Sequence, residues 1–183
     1  RLGLDISKPF TAEIMKLFGK NLRMIISGGA AIDPDILQFF NDLGIPAMQG
    51  YGLTECAPLT AVNPDVPKDM KLNAAGHLMP GMEVKIIDQN ENGIGEICFK
   101  GMNVMLGYYN NPEATAEVLR EHADGRVWLH TGDIVQLDDG MICFRSRHKR
   151  MIKVNGYNVY PSLIEDVIIE HPSVKQVCAV ATP

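Results

Sequence analysis

No two of the four cysteines, Cys56, Cys98, Cys143 and Cys178, stand at CxxC spacing. That argues against a structural zinc site of the closely spaced kind. Free thiols scattered along a chain fit a reducing, cytoplasmic compartment. Cys98 and Cys143 fall in strand-like patterns and read as small buried hydrophobes. The chain has no apolar run near the roughly 20 residues that span a bilayer. Its first ten residues, RLGLDISKPF, lack the plan of a secretory signal. It carries no basic excess: 17 Lys and Arg against 22 Asp and Glu give a net charge of −5, which argues against a dedicated nucleic-acid binder. Internal repeats and low-complexity tracts are missing, as is an initiator methionine, so the sequence reads as an internal fragment. What is present, 46% hydrophobic and 21% charged residues over 183 positions, describes a globular chain of one domain or two small ones.

The first third alternates helix and strand signals. Thr11 to Phe18 has helical spacing, with Ile14, Leu17 and Phe18 on one face. Leu22 to Ile26 is a short apolar strand that Ser27-Gly28-Gly29 ends. Asp33 is placed to cap a helix, with Pro34 at its first position and Gly44 closing it. Ile36, Leu37, Phe39, Phe40 and Leu43 give that helix an apolar face. Ile45 to Met48 is the next strand. Strand, helix and strand with short links imply a parallel α/β layer, whose ligands sit at the carboxyl ends of the strands.

After a proline-rich connection from Pro58 to Pro67 the period changes to two. Met82 to Asp88 and Gly95 to Lys100, joined by the Asn92-Gly93 turn, predict an antiparallel sheet or small barrel. Asn110-Asn111-Pro112 starts a short helix. Val127 to His130 and Ile134 to Leu137 are expected to flank a loop at Asp133, and Asp138-Asp139-Gly140 is a hairpin turn before Met141 to Phe144. A third pattern follows: a strand from Met151 to Val154, an Asn155-Gly156 turn, a helix opened by Pro161, and a strand from Val174 to Ala181. The expected fold is α/β plus β. Residues 1–64 form the end of a parallel α/β subdomain, 65–148 a β-barrel-like antiparallel subdomain, and 149–183 the start of a small α+β domain.

The richest stretch is Gln49-Gly50-Tyr51-Gly52-Leu53-Thr54-Glu55. Glycines let a backbone approach a ligand closely. A tyrosine ring can stack on a flat heterocycle, a threonine hydroxyl can meet a phosphate oxygen, and a glutamate can hold a magnesium ion that the phosphate also touches. Together they read as a nucleotide site with an acidic metal ligand; the alternative is a polar turn with Tyr51 as a core aromatic. The pair Gly28-Gly29 alone reads as a strand-ending turn.

QGYGLTE resembles the YGxTE signature of the adenylate-forming superfamily: acyl-CoA synthetases, adenylation domains of peptide synthetases, and luciferases. Ser27-Gly28-Gly29-Ala30-Ala31, Trp128-Leu129-His130-Thr131-Gly132-Asp133 and the stretch from Arg145 to Tyr157 fit the same family in the same order. The resemblance covers essentially the whole chain. It implies that Gly28, Gly29, Ala30 and Ala31 lie against adenine and the acyl pocket. It implies that Gln49, Gly50, Tyr51 and Gly52 line the adenine, with Tyr51 stacked on it. Thr54 would contact the α-phosphate, Glu55 would hold Mg2+, and Asp133 would accept from the ribose diol. Arg147 would hold ribose and phosphate. Lys149 would be the hinge of a mobile C-terminal domain, at a position where many relatives carry aspartate. Lys153 with Asn155, Gly156 and Tyr157 would enter the site for thioester formation, Gly156 leaving room for the pantetheine arm. His130 reads as structural, and Arg145 and Arg150 as neighbours that support the fold.

The implied activity consumes ATP, a carboxylic acid and coenzyme A, by way of an acyl-AMP. Leu53 and the following Cys56-Ala57-Pro58-Leu59 resemble fatty-acyl ligases, notably bacterial long-chain ones, and peptide-synthetase domains often carry proline at the Leu53 position. An adenylation domain that loads an amino or aryl acid onto a carrier protein stays open as the alternative. The family's Ser/Thr/Gly-rich phosphate loop and its C-terminal catalytic lysine are not in this sequence, so the isolated chain is expected to be inactive, at best a weak nucleotide binder. Peripheral contact with a membrane also stays open.

Overall fold

A computed structural model of the chain describes residues 7–19, 21–154 and 157–182. They form two compact units, Arg1–Gly81 with Asp138–Ile142, and Met82–Leu137 with Cys143–Pro183.

The first unit begins with α1 (Ser7–Phe18), β1 (Ile25–Ser27), α2 (Pro34–Asp42) and β2 (Ala47–Gly52). The expected cap of α2 forms: the Asp33 carboxylate accepts from the Asp35 N–H at 2.9 Å, with Pro34 in the first turn. Of its expected apolar face, Leu37 is buried, whereas Ile36 and Phe39 remain exposed. Asn41 then ties the helix to the next strand. Its side-chain amide donates to the Ala47 carbonyl at 3.0 Å and accepts from the Ala47 N–H at 2.9 Å. β1 and β2 pair in parallel, Ile25 beside Ala47 and Ser27 beside Gln49. The second strand therefore runs later than the apolar run suggests and includes Gln49 to Gly52.

Two short strands follow: β3 (Leu59–Val62), inside what read as a proline-rich connection from Pro58 to Pro67, and β4 (His77–Leu78) beyond it. β3 runs antiparallel to β2, with a register shift between Tyr51 and Gly52. β4 runs antiparallel to β3. The loop between them is organised by buried Asn63. Its amide donates to the carbonyls of Lys71 at 3.1 Å and Ala74 at 2.5 Å, and its oxygen accepts from the Lys71 N–H at 3.1 Å. Gly76 closes the loop at φ +95°, where a Cβ would lie 2.0 Å from the Val62 carbonyl carbon.

The second unit contains β5 (Met82–Ile87), β6 (Gly95–Gly101), α3 (Pro112–Val118), β7 (Leu119–Glu121), β8 (Val127–Asp138) as far as Leu137, and β9 (Met141–Arg147) from Cys143 onward. β5, β6 and β8 are antiparallel neighbours, β7 pairs with β8, and β9 adjoins β8. The turn between β5 and β6 is set by Asn90, whose side chain accepts from the N–H groups of Asn92 and Ile94 at 3.0 Å each. The β8–β9 turn places Asp139 at φ 53° and Gly140 at φ 74°, the pair of left-handed residues of a tight hairpin. Ile97, Phe99, Leu129 and Val135 are fully buried between these strands. The expected loop at Asp133 is absent: Val127 to Asp138 is one strand, with Gly132 at φ +70° inside it.

β10 (Ile152–Val154), β11 (Tyr157–Val159) and α4 (Pro161–Ile169) complete the described elements. The hairpin's turn residues, Asn155 and Gly156, lie outside the described residues. Tyr160 packs with Ile94, Ile134 and Met151. The Ser162 hydroxyl donates to the Arg145 carbonyl. The expected strand from Val174 to Ala181 does not form; Ala179 donates instead to Glu165 at 2.9 Å, and Arg150 meets the same carboxylate at 2.6 Å.

Two outcomes test this packing. Asn63→Ala strands two carbonyls and an N–H around a buried position. It should lower the unfolding free energy by about 3 kcal/mol, read as a shift in denaturant midpoint. The Ala179 N–H, and then Arg150, hold the Glu165 carboxyl below its ordinary value. A depressed carboxyl contributes stability that is present above its unfolded pKa and lost as pH falls through the folded one. Stability should therefore fall on acidification below about pH 4.5, and Glu165→Gln should remove part of that dependence; identical pH profiles would show that the contact contributes nothing.

Candidate functional site

In the first unit, the ends of β1 and β2 and the segment after them enclose a cavity of about 320 Å³. Its walls include Ile26, Gly28, Gly29, Gly50, Gly52 and Thr54. The expected rule that ligands meet the carboxyl ends of parallel strands thus has a physical hollow behind it. The glycines are what keep it open. A Cβ on Gly28 would stand 3.4 Å from the Gly50 carbonyl, and one on Gly50 would stand 3.0 Å from Leu59 Cδ1. At Gly52 a Cβ would lie 1.9 Å from the Pro58 carbonyl oxygen. That approach lets the Leu53 N–H reach the same oxygen at 2.8 Å, closing a loop over residues 53–58.

Inside this loop Thr54, Glu55 and Cys56 make one 3-10 turn, ended by Ala57 in the left-handed region at φ 50°. The turn sends its side chains different ways. Thr54 is exposed, Glu55 is half-buried and Cys56 is fully buried. Burial, and then the Glu55 charge, push the Cys56 thiol up to about 11. It is therefore a protonated core thiol and not a soft ligand competing beside Glu55. A carboxylate and a hydroxyl remain, hard oxygen donors of the kind a magnesium ion shared with phosphate takes. The residues fit that ion. Of the other residues singled out here, Ala30 and Ala31 are exposed and Gln49 and Tyr51 half-buried. The backbone carbonyls of Gln49 and Tyr51 are engaged by the Asn63 N–H at 3.1 Å and the Thr60 hydroxyl at 2.9 Å. None of these four lines the cavity.

In the second unit the candidate residues are Asp133, Arg147, Lys149, Lys153 and Tyr157. The Asp133 side chain is 8% exposed and its Oδ1 lies 3.3 Å from Nε of Arg147, which is 72% exposed. A buried carboxylate with an exposed guanidinium at its mouth can accept from hydroxyls while the cation meets an anion. Three contacts position Asp133. Its N–H donates to the Thr131 hydroxyl at 3.0 Å, that hydroxyl donates to the Ile97 carbonyl at 2.8 Å, and the Gly132 N–H donates to Glu96 at 2.9 Å. Glu96 also faces His130 Nδ1 at 3.4 Å. Sequence reasoning missed Glu96; only the β6–β8 register brings it under the motif. Lys149 and Lys153 line a hollow of about 360 Å³ with Ala179 to Ala181. Tyr157 opens β11 opposite Val154. Arg145 donates to Gln136 at 2.7 Å.

Comparison with known proteins agrees with this architecture. The family model described as AMP-binding enzyme matches residues 5–109. The long-chain-fatty-acid–CoA ligase of Escherichia coli O6:H1 is 40% identical over 179 residues, 93% of this chain and 31% of the relative. Among solved structures, o-succinylbenzoate–CoA synthetase of Bacillus subtilis in complex with AMP is similar at TM-score 0.76 and 28% identity, over 96% of this chain and 37% of that one. The amide bond synthetase McbA of Marinactinospora thermotolerans is similar at TM-score 0.73 and 33% identity, over 88% of this chain and 34% of that one. The chain thus spans about a third of the length of the relatives it matches. With the glycine-walled cavity at the strand ends and a family model matching more than half its length, the chain belongs to the AMP-binding enzyme family of adenylate-forming ligases.

Proposed function

We propose that the protein carrying this chain is an acyl-CoA synthetase that activates a long-chain fatty acid as acyl-AMP and passes the acyl group to coenzyme A. The observation that carries this reading is the cavity walled by Gly28, Gly29, Gly50 and Gly52 with Thr54 at its edge. Similarity to the long-chain-fatty-acid–CoA ligase of Escherichia coli supports the choice of acid.

In this reading the carboxylate oxygen of the acid attacks the α-phosphorus of ATP and pyrophosphate leaves. Thr54 donates to an α-phosphate oxygen, and Glu55 is the residue that holds Mg2+, which offsets phosphate charge when bound. The Gln49 to Gly52 segment and Gly28 to Ala31 border the adenine, Tyr51 stacks on it, and Asp133 with Arg147 holds the ribose and phosphate. The CoA sulfur then attacks the acyl carbon and AMP leaves. Lys153 and the Asn155-Gly156-Tyr157 turn belong to this second step. It follows a swing at Lys149 of a mobile domain that begins at residue 149, since a change of backbone angles at one position can move a whole domain. The β-rich subdomain spans 65–148 and the α/β subdomain 1–64. The protein works in the cytoplasm, and none of the described helices is long and apolar enough to cross a membrane. The isolated chain is inactive.

A different acceptor is the second reading. Similarity to an amide bond synthetase favours an amine in place of CoA, and loading of an amino or aryl acid onto a carrier protein belongs to the same reading. The deciding experiment gives the full-length protein ATP, CoA and a panel of long-chain, aryl and amino acids, and measures thioester and AMP. Long-chain thioester is the expected product; adenylate without thioester from an amino or aryl acid would replace this reading with the second.

Variants then separate the roles. Glu55→Ala should lower kcat/KM roughly 10- to 100-fold and raise the magnesium requirement, since a charge-assisted contact is worth about 1.5–3 kcal/mol. Asp133→Asn should lower kcat/KM to a similar degree through ATP, leaving the CoA dependence unchanged. Gly52→Ala should abolish activity, because the 53–58 loop cannot close over a methyl group.

A further inference from the structure

A second cluster of chemically capable side chains lies in the second unit, none of which carries a step of the proposed activity. Cys98 and His130 are direct cross-strand partners on β6 and β8. His122 follows β7, where Arg120 stands opposite Trp128 of β8. The turn after it closes through the His122 N–H to the Arg126 carbonyl and the Gly125 N–H back to the His122 carbonyl, both 2.9 Å. One donor atom from each of Cys98, His122 and His130 lies within 4.8 Å of the other two. The two imidazoles face each other, Nε2 to Nε2, at 2.9 Å. Behind His130, Nδ1 is 3.4 Å from the Glu96 carboxylate.

We propose that Cys98, His122 and His130 form a binding site for one zinc-class divalent ion. The donor set decides the class of ion. A thiolate with two imidazoles suits zinc and cobalt, and offers none of the oxygen ligands that magnesium and calcium require. The geometry is close to what such an ion needs. Zn–N bonds of about 2.0–2.1 Å and a Zn–S bond of about 2.3 Å at tetrahedral angles put donor atoms about 3.3–3.6 Å apart. The imidazoles must separate by a few tenths of an ångström, and the donors at the far end of the spread must draw in.

The surroundings match those of a metal-bound histidine. A ligating imidazole characteristically donates its other N–H to a carboxylate, the arrangement His130 has with Glu96. A thiol binds such an ion as thiolate, so the ion must displace the Cys98 proton. Zinc-class ions bind thiolates strongly enough to do so, which again sets magnesium aside. The opposing charge is Lys85, whose Nζ stands 3.3 Å from His122 Nδ1. It already pairs with Asp124 at 3.0 Å and lies 4.3 Å from the centre of the Trp128 ring, so it can withdraw from the imidazole without losing its counter-charge. Three protein donors leave a fourth position for water or an added ligand. Binding expels one proton, from Cys98, as the sulfur–metal bond forms.

The inference rests on the β6–β7–β8 geometry and is independent of the proposed activity. Its test is a titration of the chelator-treated protein with Co2+, in a Cys178→Ser background that removes the exposed thiol. One equivalent should bind, with tetrahedral visible absorption and a thiolate-to-cobalt charge-transfer band, and Zn2+ should displace it. Cys98→Ser should abolish the charge-transfer band, and His122→Ala should weaken affinity at least tenfold. Saturable binding without the band, no binding, or full affinity in His122→Ala would overturn the proposal. His122 is only half-buried, so that variant decides the matter even if Cys98→Ser fails to fold.

Discussion

The approach of the chain to itself at Gly52 is the constraint on which the first unit's cavity depends. There is room for a hydrogen atom beside the Pro58 carbonyl, and a methyl group would sit at 1.9 Å. That proximity permits the Leu53–Pro58 hydrogen bond, and the bond forces residues 53–58 into a tight loop. The loop in turn sets the 3-10 turn that sends Thr54 outward and Cys56 inward. A flexible segment could present the same side chains only by giving up conformational entropy on each binding event, at about 1–2 kcal/mol per residue fixed. Here that ordering is complete before any ligand arrives.

A comparable device operates in β8. A strand carries side chains to alternate faces, so Asp133 would ordinarily follow the alternation set by Trp128 and His130. Gly132 at φ +70° interrupts it, and the β6–β8 register shifts in the same region. Such interruptions re-aim a side chain at the expense of ladder hydrogen bonds. Backbone groups in this region find side-chain partners: the Gly132 N–H donates to Glu96, and the Ile97 carbonyl accepts from the Thr131 hydroxyl. Asp133 is thereby held under the exposed Arg147 guanidinium, where a carboxylate left alone would carry a large desolvation penalty.

What the sequence made legible follows the range over which its signals act. The Asp33 cap, the hairpin turns at Asn92-Gly93 and Asp139-Gly140, and the parallel β1–α2–β2 unit are local, and the structure contains all of them. Gly50, Gly52 and Thr54 stand together in one motif run, and the structure brings them with Gly28 and Gly29 to one cavity. β3, β4 and β7 were not legible, because strands of two to four residues are too short to show a period and are defined by their partners. The strand expected from Val174 to Ala181 is apolar enough, but among the described residues it meets no partner strand, and a β-strand is a pairing before it is a propensity. Glu96 and the Cys98–His122–His130 cluster were invisible for a related reason. A search for closely spaced cysteines reads metal ligands along the chain, whereas an antiparallel sheet assembles them across it.

Glu96 joins the Asp133 segment to His130, and the proton inventory around it shows how. Lys85 can only donate, so His122 Nδ1 accepts and the proton of that imidazole sits on Nε2. His122 Nε2–H then donates to His130 Nε2, and His130 Nδ1–H donates to Glu96. Every group in this series, from ammonium to carboxylate, is satisfied in one direction only. A cation between the imidazoles would reverse the tautomer of His122, so that two donors, Nδ1–H and the Lys85 ammonium, would face each other. Lys85 would be driven fully onto Asp124. The His130–Glu96 half of the series would survive the change, because His130 uses the same Nε2 lone pair toward a metal as toward His122. Glu96 thus keeps its hold on the Gly132 N–H in both arrangements. The ion site and the Asp133 segment share a carboxylate whose contacts neither state needs to break.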